Sequence, residues 1–196
     1  MKQNTTFTDR RTYLATTGAA TTGIIGFAGC LASGETGTLA TQVTDQPGDI
    51  ADFEVCIVTI AGTWLGPEGA RAGEAEDEEP ADREYYEYEE SQQADLVELQ
   101  GDNTQLVDER ELDVSTYEFL QLDINGIDAT LEEDGSDATV EVPGEAPLTF
   151  NEGFEVREDT STVFTADFTP VQRGQADDYV LQPVPEGITV EYEEEA

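Results

Sequence analysis

Residues 117–142 read YEFLQLDINGIDATLEEDGSDATVEV, and this stretch decides the fold class. Ile127, Ala129 and Leu131 alternate with polar residues, as do Ala138, Val140 and Val142, which is the period of a strand whose successive side chains face opposite sides of a sheet. Tyr117 and Phe119 then face one way and Leu120, Leu122 and Ile124 the other, a pattern of two-sided burial. Asn125-Gly126 separates two apolar runs, where a type I′ hairpin turn asks for positive φ at both central residues, and Asp134-Gly135 repeats the device. The stretch predicts a three-strand meander.

Outward from it, the same period marks strands at 38–44, 53–63, 84–90, 95–99, 111–114, 154–157, 160–168, 179–182 and 188–192. No segment holds a helical period beyond a turn or two. Many short strands at this spacing predict an all-β chain folded as a single antiparallel β-sandwich over 38–196, immunoglobulin-like or transthyretin-like. An acidic loop at 66–83 interrupts the pattern with Gly, Pro and the block Glu74-Ala75-Glu76-Asp77-Glu78-Glu79-Pro80.

The charge balance sets the surroundings. The 196 residues carry 45 Asp plus Glu against 8 Lys plus Arg and no histidine, a formal net charge of −37. Without imidazole, Ser-His-Asp and Cys-His nucleophile systems and histidine-ligated metal sites are excluded. Nucleic acid is not an expected partner, because phosphate contact runs on Lys and Arg. The balance is that of a salt-adapted protein, whose surface carboxylates stay hydrated while molar salt shortens the Debye length to ~3 Å. Low salt is expected to destabilise it. With 37% hydrophobic residues in alternating runs, most of the chain is expected to fold rather than form an acidic tail.

The first thirty residues read as an address. Arg10-Arg11-Thr12-Tyr13-Leu14 resembles a twin-arginine (Tat) export signal, and residues 15–29 form an uncharged, weakly apolar run too short to span a bilayer. Phe27-Ala28-Gly29-Cys30 resembles a lipobox, with Phe where Leu is usual. The expected organisation is a signal peptide over 1–29, a lipidated Cys30 with a tether to residue 37, and the sandwich after it. The membrane, held through Cys30, and an envelope protein or glycan are the expected partners of a lipid-anchored, outward-facing domain. An uncleaved anchor or a secreted product is the alternative. With Cys30 acylated, Cys56 has no disulfide partner and is expected to be a buried, inert thiol. No Asn-x-Ser/Thr sequon follows Cys30.

The strand order carries a resemblance. Gly37-Thr38-Leu39, Val43-Thr44-Asp45-Gln46-Pro47, Ala94-Asp95-Leu96-Val97-Glu98-Leu99, Thr116-Tyr117-Glu118-Phe119-Leu120-Gln121-Leu122, Phe164-Thr165-Ala166-Asp167-Phe168 and Tyr179-Val180-Leu181-Gln182-Pro183-Val184 follow one another as in domain-of-unknown-function family 4382. The chain resembles a haloarchaeal, Tat-exported, lipobox-containing member of that family of archaeal and bacterial lipoproteins. It departs at Thr169-Pro170-Val171, where the family often continues with another acid and a serine. The resemblance implies a β-sandwich on a cell surface and supplies no catalytic residues.

Three constellations could carry chemistry. Asp45, Asp49 and Asp52 fall in the turn between the first two strands, beside Gly48, and could offer oxygens to calcium, the one cofactor the sequence suggests; turn formation and strand capping use the same residues. Trp64, Tyr86 and Tyr88 could form an aromatic surface for sugar rings, with core packing as the plainer role. In a strand, Tyr86 and Tyr88 share one face and Tyr85 takes the other. A pair of carboxylates could hydrolyse glycosides without histidine, but among so many acids no pair stands out. The sequence therefore points to a non-catalytic interaction or envelope-structural domain, with a calcium- or carbohydrate-binding module and a histidine-free hydrolase as alternatives.

Overall fold

The computed structural model describes residues 34–46, 48–73, 80–143, 147–174 and 178–194. Arg10, Arg11, Cys30, residues 74–79 of the acidic loop and Pro47 lie outside the described residues. The described residues form eleven strands: β1 (Thr36–Thr44), β2 (Phe53–Pro67), β3 (Glu84–Asp95), β4 (Gln105–Asp113), β5 (Ser115–Leu131), β6 (Thr139–Glu141), β7 (Leu148–Phe150), β8 (Phe154–Val156), β9 (Thr160–Gln172), β10 (Asp178–Pro183) and β11 (Thr189–Glu194). They build two sheets, one ordered β4-β1-β9-β10-β6 with β11 also on β9, the other β3-β2-β5-β7 with β8 also on β5. The all-β sandwich predicted from the alternation is the fold observed.

The stretch that announced it is built differently from the expected meander. Strand β5 passes straight through Asn125-Gly126, because β2 offers it an antiparallel partner from Phe53 opposite Leu131 to Pro67 opposite Tyr117. Thr59 faces Gly126 and Ile60 faces Ile124, so Asn125 is the extra residue of a bulge rather than the tip of a hairpin. Gly126 accordingly has no positive φ. The second turn does form. Gly135 sits at φ 68° and donates its N–H to Leu131 O at 3.1 Å. After it β6 leaves for the other sheet and pairs with β10.

A second bulge explains the burial along β5. Gly66 faces Phe119 and Pro67 faces Tyr117, leaving Glu118 as the extra residue. Tyr117, Leu120 and Leu122 therefore share the core face, where strict alternation would have split them. The ring of Phe119 is buried on the other side, in the space a Cβ on Gly66 would need.

Pairing is mixed rather than purely antiparallel. β1 runs parallel to β9, with Thr38 opposite Ser161 and Thr44 opposite Asp167, and β10 runs parallel to β6. A parallel pair needs a long crossover. Here the chain builds all five described strands of the opposite sheet between β1 and β9. The other edge of β9 is shared, β11 taking residues Thr160 to Thr165 and β10 taking Phe168 to Gln172. The expected strand at 95–99 is instead a turn following β3, and β7 was not expected at all.

An aromatic seam closes the two sheets. Phe164 of β9 meets Phe154 at 5.2 Å and Phe150 at 6.5 Å between ring centroids, while Phe168 lies 6.0 Å from Phe150. All four rings are fully buried, and β7 and β8 belong to the sheet opposite β9. Cys56 is a buried free thiol whose pKa is pushed up to about 12 by burial, with Asp95 and Asp45 adding to the rise. Truncating the central ring of the seam, Phe164→Ala, is expected to cost about 3–5 kcal/mol of unfolding free energy in denaturant titrations at constant molar KCl. A loss below about 1 kcal/mol would mean the seam does not join the sheets.

Candidate functional site

Where β1 ends, two carboxylates are buried together. Asp45 follows the last residue of β1, and its N–H donates to Leu99 O at 3.1 Å. Asp167 sits in β9 beside Thr44 and accepts the Gln46 N–H on Oδ1 at 3.0 Å. On β9, Phe164, Ala166 and Phe168 point into the core, so Asp167 and Thr169 fall on the outer face. That face would be wet, but the turn Pro185–Gly187 covers it, tied down by Val184 N–H to Asp167 O at 2.8 Å.

The covering is close. A Cβ on Gly187 would lie 1.5 Å from Asp167 Oδ2, and one on Gly48 would lie 2.5 Å from Thr169 Oγ1, so only glycine lets the two turns approach. Asp45 and Asp167 are both 0% exposed and Thr169 is 6% exposed. Both carboxylate oxygens of Asp45, Asp167 Oδ2 and Thr169 Oγ1 are buried without a hydrogen-bond partner among the described residues. Burial pushes the Asp45 carboxyl up to about 7, and the charge of Asp167 adds to the rise while the nearby Thr169 hydroxyl opposes it. Burial likewise raises Asp167 to about 6, against the Gln46 N–H. Such a pair can hold a proton or a counter-ion. Being closed to solvent, it offers no surface for a substrate to reach.

The predicted calcium trio is not brought together. Asp45 is buried beside Thr169, Asp49 Oδ2 accepts the Gln172 N–H at 2.7 Å, and Asp52 Oδ2 accepts the Tyr179 hydroxyl at 3.0 Å. Asp49 and Asp52 belong to a 3-10 turn that the two bonds fasten to β9 and β10, which is the capping role of such residues. Among the described residues no three Asp, Glu or Cys side chains form a metal cage. Sequence reading found Asp45 and missed Asp167 and Thr169. In Phe164-Thr165-Ala166-Asp167-Phe168 the acid stands at a position that alternation assigns to solvent, and the turn that hides it arrives from eighteen residues on.

The aromatic trio is also divided. Trp64 pairs with Tyr85 on the outer face of β2 and β3, ring centroids 4.4 Å apart, while Thr63 pairs with Tyr86 on the inner face. Tyr88 is buried, its hydroxyl 2.5 Å from Thr63 Oγ1, and Tyr86 is half-buried beneath Arg110. The shared face of Tyr86 and Tyr88 is as alternation predicts. Trp64 stands on the opposite side, and Arg83 stacks on its ring at 3.9 Å and bonds to the Gln121 amide. The indole is thus part of a packed layer rather than an open platform for a sugar.

The family described as domain of unknown function (DUF4382) matches residues 36–183. The chain belongs to that family. No curated protein and no solved structure matches it. The matched part of this DUF4382 domain contains Asp45, Asp167 and Thr169, whereas the covering turn Pro185–Gly187 and β11 follow it.

The buried pair sets the direction of a pH effect. A carboxyl whose folded pKa lies above its ordinary value binds protons more tightly in the native state, so its contribution to stability is full below about pH 4 and is lost as pH rises to about 7. In chelator and molar KCl, Asp45→Asn is therefore expected to flatten the fall in stability between pH 4 and 8 and to raise stability at pH 8. The change should be on the order of 3–4 kcal/mol, read from denaturant titrations at each pH. A variant less stable than the parent at pH 8 would contradict the arrangement.

Proposed function

We propose that the protein is a lipid-anchored, outward-facing surface domain of a salt-adapted cell, with a non-catalytic interaction or envelope-structural role. One observation carries the reading: Cys30 closes the uncharged apolar run behind Arg10-Arg11, and the first strand begins at Thr36, only a few residues later. Cleavage before Cys30 would remove no strand of the sandwich. A short polar segment would then hold the domain close to the bilayer, since a chain spans at most ~3.5 Å per residue.

The distribution of charge supports the same reading. The described ion pairs are few, Arg110 with Asp108, Arg157 with Glu155 and Arg173 with Glu141, so most of the described carboxylates have no cationic partner. Such a surface suits concentrated salt and repels anionic lipid and nucleic acid. The non-catalytic role draws support from the site itself, because the two described carboxylates with raised pKa values are sealed from substrate.

The anchor is tested in the salt-grown host with a clickable fatty acid. The wild-type chain should carry the label and sediment with membranes, and Cys30→Ser should lose the label and leave the membrane fraction. Replacing Arg10 and Arg11 by lysine should leave unprocessed precursor inside the cell. A Cys30→Ser chain that stays in the membrane, with no label on the parent, would overturn the reading.

A further inference from the structure

We propose that Asp45, Asp167 and Thr169 bind a calcium ion in the interior of the sandwich. Four oxygens without a geometric hydrogen-bond partner among the described residues belong to this cluster, two from Asp45, one from Asp167 and one from Thr169, and Asp45 feels both of the other side chains. Buried polar atoms are almost always satisfied, and a group of them in one place asks for a common partner. A proton shared between the carboxylates, with the Thr169 hydroxyl donating to Asp45, would join these groups only by leaving one carboxyl neutral. A cation serves all of them and cancels the repulsion between the carboxylates.

The donor set selects the ion. It contains only oxygen, so it favours a hard cation over one that prefers sulfur or imidazole. Two carboxylates neutralise one divalent charge. Magnesium keeps most of its own water and demands a tight octahedron, which suits a site closed by two turns poorly, whereas calcium takes flexible shells and accepts carboxylates through one or both oxygens. Both oxygens of Asp45 are free for the second mode. No arginine or lysine takes the cation's place, for the described ion pairs all lie elsewhere.

The surroundings fit a bound ion. Gly48 and Gly187 bring the backbone of two turns against Thr169 Oγ1 and Asp167 Oδ2. A groove of about 410 Å³ runs beside the cluster, with Gln46 and Gly187 in its wall and Asp102 and Glu191 along it. The ligands come from the residue after β1 and from β9, more than a hundred residues apart in sequence, so binding would fasten the end of β1 to β9 beneath the covering turn.

The test is a thermal melt of the full-length chain in detergent, at pH 8 and molar KCl, with chelator, millimolar calcium or millimolar magnesium. Calcium should raise the melting temperature by several degrees and magnesium by much less, as linkage requires of an ion bound only by the native state. Asp45→Asn and Asp167→Asn should abolish the calcium rise, and Asp49→Asn with Asp52→Asn should keep it. Equilibrium dialysis of the unaltered chain should find one tightly held calcium, a readout that does not depend on how the variants fold. The absence of a calcium-specific rise, or a rise that persists in Asp45→Asn and Asp167→Asn, would overturn the proposal. Equal shifts with calcium and magnesium, together with no tight calcium in dialysis, would leave only screening by the acidic surface and overturn it equally.

Discussion

The parallel pairing of β1 with β9 is the contact on which the rest of the structure depends. It is the longest-range ladder of its sheet, and β9 spends its other edge on β11 and β10, so three segments of the chain are aligned by one strand. Inward, the same strand carries Phe164, Ala166 and Phe168 against the opposite sheet. Outward, it carries Asp167 and Thr169 under the turn Pro185–Gly187. The core and the buried polar cluster are thus the two faces of a single element. Anything that unpaired β9 would expose both.

Much of the fold was legible because burial on one face of a sheet writes itself as period two. What misled was local rather than global. Asn125-Gly126 has the chemistry of a hairpin, yet the partner strand β2 is long enough to pair on both sides of it, and the extra residue becomes a bulge. The bulge at Glu118 shifted the parity that should have separated Tyr117 from Leu120. Strand direction was not legible either, since an alternating strand reads the same whether its neighbour runs with it or against it. The site was half legible: Asp45 stood in an acid-rich turn, whereas Asp167 becomes a buried group only through a turn distant in sequence. Trp64 and Tyr88 looked alike as aromatic residues and landed on opposite faces of one strand pair.

The chain's acidity takes on different meanings at different depths. On the surface each carboxylate keeps its water, and the mutual repulsion is shortened by salt. In the interior the same group loses that water, and two together hold their pKa values well above the ordinary range. In the proposed reading the surface charge suits a concentrated-salt medium, while the buried pair belongs to the packing of the domain itself. A lipid-anchored role and an internal counter-ion are independent readings, one resting on the sequence before Thr36 and the other on the packing of β1 and β9.

The most direct measurement of the central claim is a double-mutant cycle over Asp45 and Asp167, with asparagine at each and both positions, followed by unfolding free energy at pH 8 in chelator. If the two carboxylates share one enclosure, removing either should stabilise the domain, and removing the second should gain less than removing the first, with a coupling of at least about 1 kcal/mol. Changes that add within about 0.5 kcal/mol, or that destabilise at each position, would show that the two acids do not face one another.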